Sequence, residues 1–378
     1  MSGVALPDVV PMALHLLTGG SLPSKMTVNR FGTAHRIIIW LIDGLGYDQL
    51  TAALSLNLMP TLAHLLQHGE ASSHQMQSVF PSITPVALAS LLTGSWPGQH
   101  GLIGRYLQDP PNISWVDTLG RKGVAEPWPL LEDTVDKHAL RLGVNYEVII
   151  EARLLSGTLT KILHPWPTRI VSYVSPLAIG RLLWDAVSNP TSGLCYVYWP
   201  YLDSINHQRG LYSRDWGDEM AALDRILSDV VMHMHRAPGY GPVQLWLVAD
   251  HGHQPIQDFL PYWMLRESLP DLAPIPFGCD KMAGLQLNND QAGKIARLVP
   301  ELFGSRVSMR PMSDLFQAGD FGPAVRREVQ GRLGNWVLET EDGFVWSWER
   351  ATASERVSNH GGRSAAEITV PFVEIGLN

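Results

Sequence analysis

The chain has 378 residues, 45% of them hydrophobic and 17% charged, with a formal net charge of −8. That size supports one large domain or two moderate ones, each with a substantial core. The acidic balance argues against a nucleic-acid polymer as partner, since such binders carry a basic patch or stripe. Only two cysteines occur, Cys195 and Cys279, neither in a C-x-x-C pair, and both read as small buried hydrophobes.

The first eight residues, Met1 to Asp8, lack the basic n-region and apolar core of a signal peptide. No apolar run approaches the ~20 residues that a membrane span requires. The expectation is a soluble, cytoplasmic protein with no membrane partner. Up to about residue 34 a short helical pattern near 12–17 alternates with Gly-Gly and Pro-Ser breakers, and reads as a leader packed on the domain.

Residues 36–42, Arg-Ile-Ile-Ile-Trp-Leu-Ile, form a continuous apolar run bounded by Asp43-Gly44, the pattern of a strand buried on both faces. A helix over 48–68 is expected next. Residues 78–80 then lean towards a strand, and Pro81-Ser82 makes a turn. Pro85 opens a run of helix formers that stops at Gly94, which places Thr84 at the N-cap with proline at the first helical position. A capping hydroxyl is the plain reading. The sharper one is that a hydroxyl at a helix N-terminus faces a positive dipole end, where an alkoxide or phosphate is stabilised.

A long stretch rich in Pro, Gly and Trp spans 101–132, and helices are expected over 148–155, 177–186 and 216–234. Further buried strands are expected at 193–199 and 243–249. Strands alternating with helices make the chain α/β, a three-layer α/β/α sandwich around a mostly parallel sheet. From about 259 to 350 the pattern changes to a small α+β insertion able to form one wall of a cleft. It holds a helix near 290–302, a strand near 306–309 and a hairpin pairing 335–339 with 344–348. The expected division is therefore a core of 1–258 and 351–378, with 259–350 as the insertion.

In open α/β sheets ligands gather beyond the carboxyl ends of the strands. Three expected strands lead into carboxylates there, Asp43, Asp203 and Asp250. Converging acids repel unless they are protonated or share a cation. Asp250-His251 sets a carboxylate beside an imidazole, Asp203 and His207 lie one helical turn apart, and His360 stands in a Gly-rich loop that a Ser364/Glu367 capping box would fix. Each group alone is equally a turn or a loop. Together they assemble into two sites, Asp203 with His207 and His360, and Asp43 with Asp250, His251 and the Thr84 hydroxyl. The mixed oxygen and nitrogen donors suit zinc, with manganese or iron as alternatives. Two such cations ~3.5–4 Å apart would clamp a phosphoryl transfer. His74, His100 and His253 are assigned to surface or supporting roles.

With these blocks in this order, the sequence resembles the alkaline phosphatase superfamily, and most closely its type I phosphodiesterase/nucleotide pyrophosphatase branch. The blocks are Ile39 to Gly44, Phe80 to Pro85 continuing to Thr93-Gly94 and His100-Gly101, Asp203 to Gly210, Ala249 to Gly252, and His360 to Gly362. The resemblance implies a two-zinc hydrolase of small phosphate esters or nucleotides in which Thr84 attacks phosphorus and forms a covalent phospho-threonine. It also implies the same partition of ligands, with the zinc at Asp43, Asp250 and His251 activating Thr84 and the zinc at Asp203, His207 and His360 activating water. The chain departs from the branch after Thr84, where Pro85-Val86-Ala87-Leu88 replaces Phe-Pro-Asn-His, so the likeness does not extend to nucleotide preference. Asn206 is a candidate phosphate contact, and Arg105 and Arg209 are candidate positive groups. The alternatives are a phosphomonoesterase, a phosphonate hydrolase or a phosphomutase of the same superfamily, and outside catalysis a metal- or phosphate-binding protein.

Overall fold

A computed structural model describes residues 3–19, 31–107, 134–234, 241–272, 277–348 and 355–377. Most of the 101–132 stretch lies outside the described residues. The centre is a seven-stranded sheet containing β1 (Arg36–Ile42), β2 (Ala71–Gln77), β3 (Asn145–Glu151), β4 (Arg169–Tyr173), β5 (Gly193–Trp199), β6 (Val243–Val248) and the C-terminal strand Thr369–Leu377. Their order is β2, C-terminal strand, β6, β1, β5, β3, β4. β1, β5 and β6 are buried along their whole length and lie side by side in parallel register, with Ile42 opposite Trp199 and Leu41 opposite Val248. Strands covered by helices on both faces bury every side chain, which is why these three read as unbroken apolar runs. The C-terminal strand alone runs against its neighbours.

Several local expectations are corrected. The helix expected over 48–68 is two, Tyr47–Ser55 and Pro60–His68, because Asn57 takes a left-handed φ of 56° and Pro60 can only begin a helix. Residues 148–155 are half strand: Val148 to Glu151 lie inside β3, between β4 and β5, and a short 3-10 helix, Ala152–Leu154, follows. So short an apolar run does not distinguish the two, and its β-branched content decides. The strand expected at 78–80 is instead β2, ending at Gln77.

The segment expected to be the insertion contains a second, antiparallel sheet in the order Val307–Pro311, Trp336–Thr340, Met282–Leu285, Phe277–Cys279. Helix Asn289–Phe303 covers it through Ile295, Val299 and Phe303, making a separate small core. The expected hairpin does not form. Trp336–Thr340 already has a neighbour on each edge, and Phe344–Ser347 pairs in parallel with Asp258–Pro261 instead. This second sheet is tied to the main domain by backbone bonds from Arg105 N to Gly278 O (2.7 Å) and Gly278 N to Tyr106 O (2.7 Å). Among the described residues no helix is long and apolar enough to cross a membrane.

Candidate active site

The carboxyl ends of β1, β5 and β6 bring the three acids together. Asp43 follows β1 directly, its N–H donating to Trp199 O at 2.9 Å, and Gly44 turns the chain at φ 79°. A Cβ on Gly44 would come within 2.9 Å of Asp203 Cα, so only glycine lets the two segments approach. Asp203 and His207 lie on one face of helix Tyr201–Arg209, which β5 feeds through Pro200. Asp250 and His251 follow β6, where Asp250 Oδ1 accepts from Gly44 N (3.1 Å) and His251 N (3.0 Å).

Thr84 is the first residue of helix Thr84–Thr93, one position inside the expected cap; Ile83 occupies the N-cap and makes no side-chain cap bond. The Thr84 hydroxyl instead lies 3.1 Å from His251 Nε2 and 3.5 Å from Asp43 Oδ1. Gly94, at φ 64°, ends the helix as expected. His360 Nδ1 meets Ser82 O at 2.8 Å, which ties the Gly-rich loop to the turn that precedes Thr84. The Ser364/Glu367 capping box is present, and Glu367 also accepts from Gly362 N (2.9 Å) and pairs with buried Lys281 (3.0 Å).

Two donor groups result. One is Asp203, His207, His253 and His360, with the three imidazole Nε2 atoms 3.4, 2.8 and 3.5 Å from Asp203 Oδ1. The other gathers Asp43 and His251 with Asp203, and Asp250 Oδ2 lies 3.4 Å from His251 Nε2. The rings of His251 and His360 stack at 3.7 Å, so the groups share a wall. His253, assigned above to a supporting role, is fully buried inside the first group. The clue in the sequence was its position two residues beyond His251, on the same turn.

The electrostatics fit a cation. Burial, and then the charges of Asp250 and Asp203, push the Asp43 carboxyl well above the usual range, although the Tyr198 hydroxyl donates to it. Burial likewise raises Asp250. Burial opposes ionisation of Asp203 too, but the imidazole cluster around it, led by His207, outweighs it and holds that carboxyl well below the usual range. Asp250 Oδ2 is buried and has no hydrogen-bond partner among the described residues. An orphaned carboxylate oxygen among converging acids and imidazole nitrogens is the donor set that a borderline divalent ion takes up.

Asn206 does not face the cleft. It is fully buried, and its amide donates to Gly44 O (3.1 Å) and Gln49 Oε1 (3.2 Å), so it braces the Asp43 turn. Arg209 pairs with Asp215 at 3.2 Å. Arg105 lines the cleft together with Thr84, and the insertion adds Cys279 and Asp280 to the same cleft, of about 220 Å³.

The family model described as type I phosphodiesterase / nucleotide pyrophosphatase matches residues 37–301. No curated protein sequence matches the chain. Among solved structures, an inactive variant of murine ectonucleotide pyrophosphatase/phosphodiesterase 5 in complex with AMP superposes with a TM-score of 0.68 at 16% identity, covering 90% of this chain and 87% of that one. The human counterpart gives 0.67 at 15% identity over 90% and 87%. Phosphonoacetate hydrolase from Sinorhizobium meliloti 1021, in complex with phosphonoformate, gives 0.65 at 19% identity over 90% and 89%. At these identities the likeness to the solved structures is one of fold.

Proposed function

Because the chain belongs to the type I phosphodiesterase / nucleotide pyrophosphatase family, and is thus a phosphoric ester hydrolase of the alkaline phosphatase superfamily, we propose that it cleaves small phosphodiesters or pyrophosphate bonds by attack of Thr84. The observation that carries this reading is the Thr84 hydroxyl, free of any cap bond and aimed at His251 Nε2 and Asp43 Oδ1. Asp43, Asp250 and His251 would hold one divalent cation beside it, and Asp203, His207 and His360 a second. Zinc is the expected metal, with manganese or iron as alternatives, and such ions supply Lewis-acid charge and lower the pKa of a bound hydroxyl or water.

The chain's own residues do the positioning. Helix Thr84–Thr93 holds the attacking oxygen at its positive end, where the phosphoryl charge is also favoured. With His251 Nε2 committed to the cation, Asp43 Oδ1 at 3.5 Å is the group within reach of the hydroxyl proton. Arg105 brings a guanidinium to the cleft wall for the non-bridging oxygens. The Thr84 Oγ–P bond forms as the bond to the leaving oxygen breaks, and water then cleaves the phospho-threonine.

Thr84→Ala is expected to lower kcat by at least ~10³-fold while metal content is retained. Rapid quenching of the wild-type enzyme should trap a phosphoryl group on Thr84. Residual turnover within tenfold of wild type would contradict the assignment.

A further inference from the structure

Thr84 borders a second hollow besides the metal cleft. It lies between helix Thr84–Thr93, the end of β3, β5 and the short helix Thr158–Leu163, and its walls are Leu88, Ile150, Leu154, Leu159 and Leu163. Thr84, Leu154 and Tyr198 line both spaces, so the hollow adjoins the cleft at Thr84. Most polar groups in its lining are engaged. The Tyr198 hydroxyl donates to Asp43, and His164 Nδ1 meets the Tyr146 hydroxyl at 2.8 Å. Among the fully buried groups the exception is Tyr196, only 1% exposed, whose hydroxyl has no hydrogen-bond partner among the described residues.

A buried hydroxyl left without a partner is destabilising, and an unfilled place for a ligand atom accounts for it. Size limits that ligand. The hollow holds about 50 Å³, roughly three to five times the ~10–15 Å³ that one buried water needs. That is room for a few carbons and not for a nucleobase. Direction limits it further: in an in-line displacement the leaving group departs opposite the attacking oxygen, so a group lodged beside Thr84 is one that stays on phosphorus.

Resting on the reading of Thr84 as nucleophile, we propose that this hollow is a specificity subsite for the retained substituent of the substrate. It takes a short apolar chain of about three carbons, with a hydrogen-bonding atom at its far end facing Tyr196. The substrate class is then small-alkyl phosphodiesters and phosphonate monoesters rather than nucleotides.

The test keeps the leaving group constant. Turnover of p-nitrophenyl methylphosphonate, p-nitrophenyl propylphosphonate and thymidine 5′-(p-nitrophenyl phosphate) is compared on the metal-loaded enzyme. Binding of methyl-, propyl- and 3-hydroxypropylphosphonate is measured by calorimetry. Each methylene buried should add about fourfold, so propyl should exceed methyl by roughly 15-fold in both kcat/KM and affinity, with the thymidine ester below propyl. Thr160→Phe, which fills the hollow from its half-buried rim, should abolish the propyl advantage and leave methylphosphonate binding unchanged. Tyr196→Phe, which deprives no other residue of a partner, should remove only the gain of 3-hydroxypropyl over propyl. A flat alkyl series, a thymidine ester faster than the propyl ester, or a propyl advantage that survives Thr160→Phe would overturn the proposal. If Thr160→Phe fails to fold, Ile150→Phe makes the same test. If Thr84→Ala keeps turnover while the binding series still rises, the nucleophile reading falls and the hollow stands as a binding site.

Discussion

The Thr84 hydroxyl and the His253 ring show how one atom's partner decides a role. Threonine before a proline and a helix is normally a cap, yet here Ile83 takes that position and the hydroxyl is released towards His251 and Asp43. For His253, the Ser358 hydroxyl donates to Asn206 O (2.6 Å), so its oxygen must accept from His253 Nδ1 (3.1 Å). In the neutral ring that leaves the Nε2 lone pair facing Asp203 Oδ1 at 2.8 Å, two acceptors that a shared cation would reconcile. Burial holds the His253 pKa down, at about 3, which keeps the ring neutral. His253→Ala is therefore expected to weaken cation affinity at the Asp203 group by about 10–100-fold, read as metal content after dialysis against a graded chelator. Unchanged content would make His253 a packing residue only.

At the scale of elements, helix Thr84–Thr93 is steadied from its far end. Leu102 N donates to His100 Nδ1 (3.1 Å), His100 Nε2 meets Ser90 Oγ (2.8 Å), and Ser90 bonds Val86 O (3.0 Å), in the same first turn as Thr84. This network needs a neutral ring. Burial, helped by the charges of Arg332 and Arg326, lowers the His100 pKa from 6.5 to about 3. The unfolded chain gains a proton below 6.5 that the folded chain refuses, so this contribution to stability is lost as pH falls from about 6.5 towards 3, at up to ~1.4 kcal/mol per pH unit. Buried His164, also lowered to about 3, adds in the same direction. The urea midpoint should fall on acidification, and His100→Gln should flatten that fall. An equal slope in the variant would remove His100 from this account. The elements misread from sequence do not share one cause: the split at Asn57 is local, set by its left-handed φ and by Pro60, whereas the strand at 148–150 and the unformed hairpin were settled by neighbours far along the chain.

Across the whole molecule, two of the three acids that build the site, the buried Asp43 and Asp250, oppose its folding. Asp43, Asp203 and Asp250 converge in a region closed to water on one side, and a cation bound only by the folded chain would offset their repulsion by mass action. At a hundredfold excess over Kd that linkage is worth about 2.7 kcal/mol per site. Chelation should accordingly lower the Tm by several degrees, and zinc, manganese or iron added back singly should restore it to different extents that rank the metals. A Tm indifferent to chelator would contradict both cation sites.

The run of buried apolar residues, the carboxylates that end such runs, and the spacing of Asp203 from His207 are local properties, and a strand or helix period expresses them without knowledge of neighbours. The α/β class and the placing of the three acids just beyond strands were therefore legible in the sequence alone. Tertiary structure alone decided which strand edges pair, that the final strand lies antiparallel, that His253 joins the ligand cluster, that Asn206 turns inward to brace Gly44, and that a hollow opens beside Thr84. Each of these depends on contacts between segments tens to hundreds of residues apart, where direction in space, rather than position in the chain, determines what a side chain can touch.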